Sequence, residues 1–246
     1  MKAPKPPTPS LAQLVQSVLF RTKVVDASVG MFIALIGIAM MAYQGGTWWD
    51  ATRQGHAFWE NNLCDLLRVR TLGGHPNIVG ARLATGGMLI LVIGLVAAFS
   101  LAAEVIPSRR RLGRSIAWCG SLGSLVLTSS ALLPSDKCPA CHSVAVVFGS
   151  LPALIALAVF VGAILLEPIT TRAFRALCLA LLISVVLALS LNAWNAFLHG
   201  PSLRVLPGIA RLANIMLLGW LLWIAQLTRR RLFDTYLALE KRRATP

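Results

Sequence analysis

Six stretches of mostly apolar residues, each long enough to cross a lipid bilayer, constrain this chain more than anything else in it. They cover 25–43, 83–103, 116–133, 143–166, 175–194 and 205–227. A spanning helix needs about 20 such residues, and it must satisfy every backbone N–H and C=O within the segment, because hydrocarbon offers no partners. Charge is correspondingly thin: 13% of the 246 residues are Asp, Glu, Lys or Arg, against about 25% in a soluble domain. The expected fold class is therefore all-α, a polytopic membrane bundle of six transmembrane helices over 25–227. Basic segments at 1–24 and 228–246 flank it, and no length remains for a separate soluble domain. Pro207 falls in a first helical turn, where proline is tolerated, whereas Pro152 is expected to kink the fourth span.

The connections predict the orientation. Lys2, Lys5, Arg21, Lys23, Arg109, Arg110, Arg111, Arg114, Arg172, Arg175, Arg229, Arg230, Arg231, Lys241, Arg242 and Arg243 share one side of the bundle. Arg53, Arg68, Arg70, Arg82, Lys137, Arg204 and Arg211 fall on the other. The richer side faces the cytoplasm, which puts both termini inside, N-in and C-in. A net charge of +14 raises the question of nucleic acid. The basic runs sit beside apolar spans and no recognition fold accompanies them, so membrane lipids are the expected partners and no nucleic acid is. The proline-rich N-terminus lacks the long apolar core and cleavage site of a signal peptide. It is expected to stay, with 11–20 as a short amphipathic piece on the inner membrane surface.

Residues with chemistry gather in the three connections predicted outside. All four histidines, His56, His75, His142 and His199, belong there, as do Trp48, Trp49, Trp59 and Trp194, which suit a membrane interface. In the first of these loops, 51–67 reads as an amphipathic interfacial helix with Phe58, Trp59, Leu63, Leu66 and Leu67 as its apolar stripe. Spacing of four would align His56, Glu60 and Cys64 on one face and set Asn61 over Asp65. Gly73, Gly74, Pro76 and Asn77 are turn residues, and His75 is read with them.

The third connection reads "PSDKCPACH". Cys138 and Cys141 have the spacing of a thiol-disulfide exchange motif, in which a helix N-terminus lowers a thiol pKa, and equally of metal ligands or a structural disulfide. Cys64 would be their exchange partner or mate, whereas Cys119 and Cys178 lie mid-span as packing residues. His142 at the start of the fourth span and His199 after the fifth could approach at the outer end. With Asp65 they would complete a zinc set, and Asp136 or Glu60 could serve a bound water as base. No HExxH pattern is present. The bland alternative has Asp136 and His142 capping a helix. Arg211 sits within the sixth span, where a charge must pair or line a wet cavity. Asp65 or Asp136 would be its partner; alternatively Arg211 and Arg204 hold an anion, with Asn192 and Asn195 lining the same cavity.

"FWENNLCDLL", "GGHPNIVGARLA", the "PSDK" before His142 and the terminal "LPGIARLANIMLLGWLLWI" together resemble a family of bacterial six-helix membrane proteins of unknown function, within the wider DRAM/Sfk-type group. That resemblance implies six helices, outward loops and a place in the bacterial plasma (inner) membrane, and it singles out Trp59, Cys64, Asp65, Asn77, Arg82, Asp136 and His142. The CPAC pair stands outside its pattern. A second likeness, by analogy, is to the alkaline ceramidase and progestin/adiponectin receptor hydrolases, which set a Ser, an Asp and three His around zinc in seven helices. This chain has six spans and no HxxxH in its last.

Three readings stand side by side, all using an outward polar pocket built from Asp65, Asp136, His142, His199 and Arg211. The first is a non-catalytic protein binding a lipid or anion, or serving assembly or transport. The second is a metal-dependent hydrolase or transferase on a lipid-like substrate. The third is a redox protein using Cys138 and Cys141.

Overall fold

The computed structural model describes residues 11–168, 170–197 and 204–244. Seven helices carry the described chain: α1 (Leu11–Ala42), α2 (Ile78–Ser100), α3 (Ala102–Val105), α4 (Arg110–Leu132), α5 (Pro139–Leu166), α6 (Arg172–Phe197) and α7 (Leu206–Ala244). All but the short α3 are long and apolar enough to cross a membrane. Each long helix packs on its neighbour in sequence, and α7 closes the ring against α1. Beyond the long α1–α2 connection, short connections favour this order, since consecutive elements then have little chain with which to separate.

The six apolar stretches map one to each of these six helices, with the second running past the end of α2 into α3, and most of the helices begin earlier or end later than the stretches. Nothing between Phe20 and Val25 breaks a helix, so the piece expected to lie apart at 11–20 is the first part of α1. The basic segment after 227 likewise continues α7. Pro152 does not end α5, which runs through it. Opposite it α4 comes close: Cys119 Sγ donates to the Pro152 carbonyl at 3.5 Å, and a Cβ on Gly123 would stand 2.3 Å from Ala153 N. Small residues at such crossings let backbones approach, the usual packing device between apolar helices.

The core centres on Trp220 of α7, fully buried between Phe99 of α2 and Phe160 of α5, with ring centroids 5.6 and 5.7 Å away. Large apolar side chains also cover the outside, Trp118 at 81% exposure among them. In water that surface would aggregate; against lipid tails it is solvated. At the end of the bundle holding the α1 N-terminus, Arg229 pairs with Asp26. There Arg21 donates to the Ser100 carbonyl at 2.7 Å, and Ser108 donates to the buried Glu167.

The opposite end is capped by the long connection between α1 and α2. Its 51–67 segment is not the amphipathic α-helix expected from its apolar spacing. Turns occupy it as far as Asn62, and a single 3-10 helix follows over Leu63–Leu67. The backbone is bent at Gly45, Gly46 and Gly55, all with positive φ, a region only glycine enters freely. At Gly46 there is also no room for a side chain, because a Cβ would fall 2.0 Å from Gly73 N. The expected stripe is split: Leu63, Leu66 and Leu67 enter the core, while Phe58 and Trp59 stay exposed. Without the helix, the four-residue alignment of His56, Glu60 and Cys64 is lost.

Candidate functional site

Buried amides hold the capping loop in shape. Asn61, fully buried, donates through Nδ2 to the Gly46 carbonyl and accepts from Ala57 N–H, both at 2.9 Å. Asn77, just before α2, donates to the Leu66 and Arg68 carbonyls at 3.1 and 2.9 Å. Tyr43 at the end of α1 accepts from Leu72 N–H at 3.0 Å. Each bond satisfies a backbone group that an irregular buried segment would otherwise leave unpaired.

Arg211 belongs to this scaffold. Its Nε donates to the Phe58 carbonyl and its Nη2 to the Asn61 carbonyl, both at 3.1 Å, and its guanidinium lies 4.4 Å from the Phe58 ring centroid. The expected ion pair with Asp65 or Asp136 is not formed, because the carbonyls of the capping loop occupy the guanidinium instead. His56 packs edge-on against Tyr43 at 5.5 Å, with both ring nitrogens buried and unpartnered among the described residues. Burial first, and then the nearby Arg211 charge, pull its pKa down to about 4, so the ring is neutral at physiological pH.

Beneath the loop lies a cavity of about 810 Å³, reached by α2, α4, α5, α6 and α7. Its polar roof includes Trp48, Asp65, Arg68, Asp136, His142 and Asn192. Its deeper wall is apolar, formed by Met88, Leu127, Val146, Val185, Leu189 and Leu217. Asp65 is buried, accepting from Trp48 Nε1 at 3.2 Å and from Asn62 N–H at 2.8 Å. Burial raises its pKa to about 6 despite these bonds. Cys64 beside it is a free thiol. Burial, reinforced by Asp65, pushes its pKa up to about 12, which removes the thiolate that ligation or exchange requires.

The α4–α5 turn supplies the far side of the roof. Asp136 Oδ2 accepts from Arg70 N–H at 3.0 Å, and Arg68 Nη1 donates to Ser135 Oγ at 3.3 Å, so the two loops are sewn together. Cys138 occupies the cap position of α5, its sulfur accepting from Cys141 N–H. The two sulfurs are within bonding distance, their Cα atoms 5.3 Å apart. His142, 6% exposed, contacts the Leu133 carbonyl through Nδ1 at 2.6 Å.

The structure thus gathers Asp65, Asp136, His142, Cys64, Asn192 and Asn195 around one cavity. Glu60 and Arg204 line a separate cleft of about 270 Å³, where Glu60 pairs with Arg53 at 3.3 Å. Glu60 is therefore no companion to His142. Arg211 is turned away to the loop carbonyls, and Asn192 donates back to the Ala188 carbonyl at 2.9 Å. His199 lies outside the described residues. Among those described, no three His, Cys, Asp or Glu side chains converge as a metal would require.

Arg68, in sequence terms a topogenic charge, lines the roof and stacks over Trp48 at 5.6 Å. Trp48, in sequence terms an interface anchor, is a donor to Asp65. No local pattern signals either role, since their partners lie 17 to 67 residues away. Comparison with family models, curated proteins and solved structures finds no match to this chain.

Proposed function

We propose that the chain is an integral protein of a plasma membrane, with both termini cytoplasmic, and that its outward cavity binds a single amphiphile without transforming it. The cavity carries this reading: about 810 Å³, polar at the roof and apolar along its depth. That volume lies in the range of ligand sites, roughly 300–1,000 Å³. A lipid-like molecule would set its headgroup beneath Trp48, Asp65 and Asp136 and its chain along Val146, Leu189 and Leu217. The distribution of Lys and Arg supports the orientation. Exposed Phe58 and Trp59 suit a loop at the membrane surface.

A non-catalytic role is favoured by the way the titratable groups are used. Asp65 is committed to two donors, Cys64 is held as a thiol, and Glu60 is in another cleft. The test is native mass spectrometry of protein extracted without added detergent, alongside the variant Val146→Trp, which fills the apolar depth. A stoichiometric amphiphile on wild type, lost in the variant, is expected; protein that never carries or takes up one defeats the reading.

A further inference from the structure

We infer that the headgroup recognised in this cavity is a hydrogen-bond donor, a hydroxyl-rich or ammonium headgroup and not a phosphate or carboxylate. The inference rests on the cavity's being an amphiphile site and adds the polarity of its roof. Two roof atoms are buried and lack a partner among the described residues: Asp136 Oδ1 and His142 Nε2. Both residues line the cavity, and they flank the same Cys138 cap. Such atoms cost free energy unless something donates to them.

Their hydrogen-bonding sense follows from their neighbours. His142 Nδ1 faces the Leu133 carbonyl, which can only accept, so Nδ1 carries the ring hydrogen. In the neutral ring, Nε2 then presents a lone pair. Asp136 accepts Arg70 N–H through Oδ2, which leaves Oδ1 as a second acceptor. Several roof donors are already engaged, although Arg68 keeps further N–H groups and Asn195 and Asn214 also line the cavity. Trp48 Nε1 is on Asp65, Arg68 is on Ser135 and the Arg70 carbonyl, and Asn192 Nδ2 is on the Ala188 carbonyl. Arg211, the cation expected to attract an anion, is spent on the Phe58 and Asn61 carbonyls. An anionic headgroup could use the remaining Arg68 N–H groups, but it would face the Asp65 and Asp136 carboxylates and the His142 lone pair. A polyol or an ammonium would satisfy both orphans.

The experiment uses three probes with one chain length: decyl glucoside, decylamine and decyl phosphate. Each competes with radiolabelled decyl glucoside on full-length protein held in amphipol. Glucoside or amine should bind at least about tenfold better than phosphate, the difference one well-made hydrogen bond supplies. Which of the two leads identifies a polyol or an ammonium. In Asp136→Asn, the amide oxygen stays on Arg70 N–H and its NH₂ replaces the orphan acceptor, so the preference should shrink or invert toward phosphate. His142→Phe provides an independent arm and should cost the donors about tenfold while leaving phosphate unchanged. Phosphate binding as tightly as the donors, or an order unmoved by both variants, overturns the inference while leaving the cavity reading intact. Binding that a chelator abolishes and zinc restores overturns it in favour of a metal. If no probe binds and Val146→Trp changes nothing, the cavity reading itself fails and takes the inference with it.

Discussion

Replacing Arg211 by Met removes the clamp between α7 and the capping loop while keeping a long, unbranched side chain. Two hydrogen bonds from a charged donor disappear, leaving the Phe58 and Asn61 carbonyls without their partner. A stranded buried acceptor costs roughly 1–3 kcal/mol. Lost stacking on Phe58, 4.4 Å away, adds about 1 kcal/mol. Against these stands the relief of no longer burying a guanidinium that is only 4% exposed. We take the net as about 3 kcal/mol, falling on the loop and not on the whole bundle. Amide hydrogen exchange over 44–77 should therefore accelerate about a hundredfold, with α4 and α5 unchanged. Arg211→Lys should fall between, since one ammonium cannot reach both carbonyls and stack as a flat guanidinium does. Equal loop protection in wild type and Arg211→Met would refute the clamp and return Arg211 to consideration as an anion site.

His56 and Asp65 should give opposite pH slopes. The His56 pKa is depressed to about 4 in the fold, so its contribution is present above the unfolded value near 6.5 and is lost as pH falls toward about 4. Asp65 is raised to about 6; its contribution is full below the unfolded value near 4 and is lost, to the extent of about 3 kcal/mol, as pH rises through about 6. Thermal melts between those limits should slope upward with pH in Asp65→Asn and downward in His56→Phe; matching slopes would contradict the assignment. Gly123→Ala places a methyl against the Ala153 backbone and should destabilise by about 1–3 kcal/mol, with a lowered melting temperature as the readout; an unchanged value would mean the helices do not meet there. Reporter fusions should place residue 137 outside and residue 112 inside, and the reverse pattern would end the outward-cavity reading. Paired Cys138→Ser and Cys141→Ser should loosen the turn carrying Asp136 and His142, read as faster exchange at 134–142; if exchange is unaltered, the sulfur pair does not brace the site.

The six spans and the helical class were legible in the residue order because hydropathy over about 20 residues is a local property, and an apolar medium leaves the backbone few alternatives to a helix. Of the acidic and histidine side chains expected to share a pocket, Asp65, Asp136 and His142 line one cavity, whereas Glu60 lines another cleft. What neighbours could not dictate was the loop. Apolar spacing over 51–67 matched a helix, but Asn77 and Arg211 bond that backbone from elsewhere, Asn61 ties it to the Gly46 carbonyl, and turns form instead. The same long-range contacts decided the chemistry. Arg211 went to carbonyls because they lay closer than a carboxylate, Glu60 faced another cleft, and two acceptors stayed open. Local sequence sets which groups a segment owns; only packing between distant segments sets which of them keep a free lone pair.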